Sequence, residues 1–413
     1  IFSQLNSLFG NALAAHTVDK YPRVQQAISW WTDQLKQGRD STLVSNLEKN
    51  QNLKNVALIN TPWVNDAESQ SRRMQNLVNL LDRDACAAAV KENTQQLLKV
   101  QKADGGWGWV PDMKSSVFTT SAVLLNLAML RDMGCMPAGF EQAVPRAIKF
   151  CDAEIYDNYL KSKKRISTVS ALSWLYIRRF FTETATDANF ASYKKKALAQ
   201  IEKGWRDLSI YDKATAAILL SREGRQTTAF AILESLRQNA SVKDDGAMYF
   251  ANLKGFFTGF NPLITTTQVL EAFIELAPHD KDVDRLRQWL IEQKQAQDWG
   301  YDHHTPEIIY TILSSGIDWT EPQTASTLRI GDLDFTGKGN PYTGEITAQL
   351  DLKAVSGKTL TVNVNGNRPA WGGVLAQYVL PSDRVKSAAV ERLSIEKAIY
   401  ALDDTPAGPI VDA

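Results

Sequence analysis

Cysteine and histidine are scarce in this chain, and the scarcity removes several chemistries. Three cysteines, Cys86, Cys135 and Cys151, are too few and too scattered for a disulfide framework or a zinc knuckle. An odd number leaves at least one free thiol in a monomer, and a buried thiol behaves as a small hydrophobe. Of the four histidines, His16, His279, His303 and His304, only the last two are neighbours. A loop at a helix start explains that pair better than the convergent ligands of a metal site. No apolar run approaches the ~20 residues of a membrane span. Net charge is lacking too, because 46 basic side chains balance 46 acidic ones. No field then favours nucleic acid or an anionic membrane. The expectation is a chain with no metal, no cofactor, no nucleic-acid partner and no membrane span.

What is present is ample core material. Of 413 residues, 44% are apolar and 22% charged, enough for one large domain and a smaller companion. The organising stretch is Gln101-Lys-Ala-Asp-Gly-Gly-Trp-Gly-Trp109. A helical run over 85–102 ends in it and an apolar helical run over 117–133 leaves it. Gly105, Gly106 and Gly108 permit a sharp reversal. Trp107 and Trp109 are expected to fold back and plug the corner. A weaker copy, Gln293-Lys-Gln-Ala-Gln-Asp-Trp-Gly-Tyr301, again sets Trp six residues after Gln, then Gly, then an aromatic. Gln101, Gly105, Gly106, Trp107, Trp109, Gln293, Trp299 and Tyr301 therefore form a structural rim motif, with no catalytic role. Two such corners imply helical hairpins in a ring or stack, with loops meeting at one end.

Read in order, the chain opens inside an amphipathic helix, since Ile1, Leu5, Leu8, Phe9, Ala12 and Leu13 recur at helical spacing. That opening is expected of a piece of something longer. A short amphipathic stretch over 41–54 follows, then a turn at Thr61-Pro62-Trp63 with a helix expected over 63–81. Paired helices are then predicted at 85–102 with 117–133, 141–160 with 167–181, and 193–204 with 211–222. The series ends with 226–239 and 262–276, then 281–294 and 306–314. First members carry more charge, while second members begin with hydroxyls such as Thr119-Thr120, Ser167-Thr168, Thr215 and Thr265-Thr266-Thr267. These hydroxyls are expected to cap their helices. Apolar second helices and polar first helices suit an inner and an outer layer. The boundary falls near residue 322, giving a ring over 1–321 and a β-rich, incomplete segment over 322–413. Period-two alternation predicts strands at 327–335, 344–352, 358–364 and 370–379, with a tight turn at Asn365-Gly-Asn367.

Candidate chemistry is thin. The spacing Gln101-x-x-x-Gly105-x-Trp107 resembles the Gln-Trp repeat of terpene cyclases, whose fold is a ring of helical hairpins and whose repeat is a structural clasp. Such an enzyme needs an Asp-x-Asp-Asp acid among aromatics. The nearest strings, Asp280-Lys-Asp-Val-Asp284 and Asp403-Asp404, lie in a charged helix start and in the tail. Paired carboxylates for glycoside chemistry remain open, because Asp104, Asp112, Asp244, Asp245 and Asp298 could share a rim; turn and capping roles explain them as well. Lys161-Ser-Lys-Lys-Arg165 reads as a solvated loop.

Three stretches carry a more specific resemblance. They are Ile1-Phe-Ser-Gln-Leu-Asn-Ser-Leu-Phe-Gly-Asn-Ala-Leu-Ala-Ala-His16, then 97–109 followed by Thr119-Thr-Ser-Ala-Val-Leu124, and Leu360-Thr-Val-Asn-Val-Asn365 with Asn367-Arg-Pro-Ala-Trp-Gly-Gly-Val-Leu-Ala-Gln-Tyr378. Together they resemble the bacterial alpha-macroglobulins, relatives of the complement components, in their thioester-type helical ring domain and the β segment behind it. The resemblance implies a mainly α chain, an α/α toroid like that of terpenoid cyclases, followed by a smaller β-sandwich-like segment. It implies no enzyme but part of an extracytoplasmic protease inhibitor, at the cell envelope or secreted. Its partners would be target proteases and other domains of the full-length protein. The family's reactive Cys-x-Glu-Gln is missing: Cys86 precedes Ala-Ala-Ala, Cys135 precedes Met-Pro, and Cys151 precedes Asp-Ala. In the family that motif would stand directly upstream of Ile1. The alternatives are an enzyme on the same ring, acting on a terpene or polysaccharide through rim carboxylates, and a non-catalytic envelope scaffold.

Overall fold

The computed structural model describes residues 1–36, 81–251, 253, 261–296, 304–316, 327–336, 346, 348, 350–363, 389–390 and 393–394. The protein is mainly helical. Two compact units divide it, Ile1–Thr347 with Leu360–Pro369, and Ala348–Thr359 with Ala370–Ala413. The expected boundary near 322, the stretches 41–54 and 63–80, the strand at 370–379 and the turn at 365–367 lie outside the described residues.

The first unit opens with α1 Phe2–Lys20, α2 Pro22–Lys36, α3 Arg83–Lys99 and α4 Val117–Asp132. It continues with α5 Ala143–Lys161, α6 Thr168–Arg178, α7 Ala188–Gly204, α8 Ile210–Arg222 and α9 Gln226–Gln238. A two-stranded pair, β1 Ser241–Val242 and β2 Met248–Tyr249, precedes α10 Pro262–Leu276, α11 Lys281–Ala296 and α12 Thr305–Leu313. The strand β3 Thr327–Ile330 lies between β4 Leu333–Asp334 and, later in the chain, β5 Leu360–Asn363. Both pairings are antiparallel, with Leu328 opposite Val362 and Ile330 opposite Leu333. Every residue of β5 is exposed. In the second unit a single helical turn, α13 Leu352–Val355, starts where alternation predicted the end of a strand. Asp351 is the reason: its carboxylate accepts from the Lys353 amide at 2.9 Å and caps the turn. The pair β6 Ala389–Val390 and β7 Leu393–Ser394 completes the described part.

Two kinds of helix build the first unit. In α10 every residue from Leu263 to Phe273 is buried, and α4 and α8 are nearly as enclosed. By contrast α5, α7 and α9 bury one stripe, such as Ala229, Ile232, Leu233 and Leu236 of α9. Each large apolar side chain fully withdrawn from water is worth about 1.5–3 kcal/mol, so the enclosed helices carry most of the core. Neighbours succeed one another in order. Helix α1 packs on α3 and α4, α4 on α5 and α6, α6 on α7 and α8, and α8 on α9 and α10. Helix α10 then packs on α11 and α12, and α12 meets both α4 and α1. At that last meeting Phe9, Ala12, Met129, Leu130 and Tyr310 form a small apolar cluster separate from the main core.

Caps fall elsewhere than most hydroxyl pairs implied. Ser167 caps α6, but α8 is capped by Ser209 and α10 by Asn261, whose side chain accepts from Leu263 and Ile264. The threonines lie inside their helices. Thr215 Oγ1 donates to Tyr211 O at 3.1 Å and Thr267 Oγ1 to Leu263 O at 2.8 Å. Spending the donor on the helix's own carbonyl lets these hydroxyls sit in an enclosed helix.

All three cysteines are withdrawn. Cys86 and Cys151 are buried and Cys135 is partly so. Burial pushes each thiol up, Cys135 to about 11. We expect slow reaction with a thiol reagent in native protein and fast reaction after unfolding. Rapid native labelling at Cys86 or Cys151 would contradict this packing.

Candidate functional site

The glycine corner is held by a dense set of short-range bonds. Lys102 N donates to Gly106 O at 2.9 Å, Gly105 N to Lys102 O at 3.0 Å, and Gly106 N to Asp104 Oδ1 at 2.9 Å. Gly105 takes a φ of 94°, and a Cβ there would lie 2.5 Å from Arg146 O. The Gln101 amide donates to Gly105 O at 2.8 Å and to Ala143 O at 2.9 Å, bridging the corner to α5. Trp107 is fully buried. Its indole N–H donates to Leu97 O at 2.8 Å, its backbone N–H donates to Thr120 Oγ1 at 2.9 Å, and its carbonyl accepts from Ser116 N at 2.9 Å. One tryptophan thus joins the end of α3 to the start of α4.

Trp109 does not plug the corner. It is 55% exposed, stacked on Phe118 at 6.1 Å and against Phe2 at 5.1 Å between ring centroids. The reversal that buries Trp107 turns the chain outward two residues later. Gln293 is half-buried in α11, and Trp299 and Tyr301 lie outside the described residues.

A closer twin stands at 243–248. Lys243 N donates to Ala247 O at 2.9 Å, Gly246 N to Lys243 O at 2.9 Å, and Ala247 N to Asp245 Oδ1 at 3.0 Å. The bonds match those at Lys102, Gly105 and Gly106 one for one, and Gly246 has a φ of 90°. Met248, buried, takes the position of Trp107. Each corner also receives an arginine from the next charged helix: Arg146 Nη2 donates to Lys102 O at 2.9 Å and Arg285 Nε to Gly246 O at 2.8 Å. The shared sequence signal is Lys-x-Asp-Gly, so Asp245 rather than Asp244 is the counterpart of Asp104.

The structure also assembles a buried polar network that no local pattern announced. Glu271 of α10 accepts from Tyr176 of α6 and from Arg179 just past its end, with the Arg179 and Glu271 side chains 5% and 10% exposed. The Arg179 guanidinium lies 4.3 Å from the Tyr176 ring centroid and 4.2 Å from that of Phe180. Glu275 stands 3.8 Å from Arg179 and pairs twice with Arg222 of α8, at 2.7 and 2.9 Å. Tyr310 of α12 donates to Asp132 of α4 at 2.7 Å. Burial, with Glu271 adding to it, holds both Tyr176 and Tyr310 above the ordinary phenol range. These phenols stay protonated and serve as donors. Burial alone would weaken the Arg179 charge, but Glu271 and its neighbours outweigh that. A second buried group joins α5 to α6: Asp152 accepts from Trp174 Nε1 at 2.8 Å and pairs with Arg178 at 3.3 Å. Burial still raises the Asp152 carboxyl above its ordinary range.

The other candidates resolve into local roles. Asp104 and Asp245 accept in their turns, and Asp112 and Asp244 are exposed. Asp298, His303 and the Asp403-Asp404 pair lie outside the described residues. Asp280 accepts from Asp282 N at 2.9 Å and from Arg237 at 2.5 Å. His304 stands 3.2 Å from Glu307 at the start of α12. Among the described residues no three His, Cys, Asp or Glu side chains converge as a metal would require. The run 161–165 is exposed, Lys161 closing α5 and the rest a loop in which Lys163 and Lys164 are left-handed at φ 55° and 62°. As it stands, the arrangement ties helices together.

Two consequences are measurable in denaturant melts. Trp107→Ala should cost about 3–5 kcal/mol. Gly105→Ala meets both an unfavourable φ and a backbone clash, for about 2–5 kcal/mol. At Gly246 a Cβ meets nothing within 4 Å, so Gly246→Ala should cost only about 1–2 kcal/mol. Equal costs at the two glycines would contradict the geometry. Arg179→Met strands Glu271 in the interior and should cost about 3–5 kcal/mol. Adding Glu271→Leu should restore part of that loss, because no charge is then left unpaired.

No protein-family model matches the chain, and no curated protein is significantly similar to it.

Proposed function

We propose that this chain is the helical ring and adjoining β region of a bacterial alpha-macroglobulin-like protease inhibitor, acting outside the cytoplasm. The observation that carries the reading is the order of neighbours. Helices α1, α4, α6, α8, α10 and α12 touch in succession and the last returns to the first, as the inner layer of an α/α toroid does. Helices α3, α5, α7, α9 and α11 pack against them as an outer layer would. The stretch 1–16, which resembles the helix behind the family's reactive motif, supplies most of α1, one of the inner helices. The antiparallel strands β3, β4 and β5 suit a sandwich-like segment behind the ring. No described helix is long and apolar enough to cross a membrane. Of the rim carboxylates an enzyme on the same ring would use, Asp104 and Asp245 are bonded within their turns.

In this reading a protease cuts a bait segment elsewhere in the full-length protein, and the inhibitor closes around it. A trapped protease keeps its active site, so small substrates still reach it and large ones do not. The test mixes full-length protein with a trypsin-class protease and follows a small peptide substrate and a large protein substrate together. Continued peptide hydrolysis with protection of the protein substrate is expected. Equal loss or equal retention of both activities would overturn the proposal and leave an envelope scaffold. Intact mass with and without methylamine separates the modes of capture. Incorporation with release of one thiol marks a thioester, and no incorporation marks non-covalent trapping.

A further inference from the structure

We draw no further inference here: the strongest candidate, the aromatic patch of Phe2, Trp109 and Phe118 where the amino-terminal ends of α1 and α4 meet, carries nothing because nothing in the structure shows what covers it.

Discussion

A single side-chain amide underlies the corner on which the helices turn. Gln101 Nε2 gives one hydrogen to Gly105 and the other to Ala143, so the end of α3, the reversal and the start of α5 share one donor group. Trp107 is sealed beneath these bonds, its own N–H groups spent on Leu97 and Thr120. Remove the amide and two carbonyls beside the indole lose partners, each loss worth about 1–3 kcal/mol where water cannot replace it. The glycines matter for the same reason. They bring backbone to backbone closely enough that a side-chain amide spans the gap.

The enclosed helices pose a different problem. Apolar packing is non-directional and does not say which enclosed helix stands beside which. The polar pairs between them do. Glu271 joins α10 to α6, Arg222 joins α8 to α10 through Glu275, and Tyr310 joins α12 to α4 through Asp132. Each pair needs one neighbour at one height. A helix displaced by a turn would leave a charge or a phenol without its partner in the interior.

Most of the helices were legible because periodicity survives in any one segment, and each predicted run from 85 onward has a helix in the structure. The corner was legible through its glycines, and its twin through Asp-Gly, although only the hydrogen bonds align Asp104 with Asp245. Arg179 and Glu271 were not legible. They lie 92 positions apart, each in an ordinary helical pattern, and only the fold makes them neighbours. Thr215 and Thr267 misled for a physical reason, since a hydroxyl that bonds its own helix four residues back looks in sequence like one waiting to cap. Trp109 misled because size suggests burial, whereas direction depends on the turn. The strand expected at 344–352 gives way at its end to a helical turn, because the Asp351 carboxylate caps Leu352–Val355.

The meeting of α12 with α1 and α4 spans more of the chain than the other main helix contacts. Most of those join helices nearer in sequence, which can meet hairpin by hairpin as the chain collapses. This seam joins the first helix to the last of the series, so closing its loop costs more chain entropy than closing a hairpin. It is held by the small separate cluster around Phe9 and Tyr310 and by the bond from Tyr310 to Asp132. A closure that spans so much chain and rests on so few side chains has little cohesion to spare beside the enclosed core.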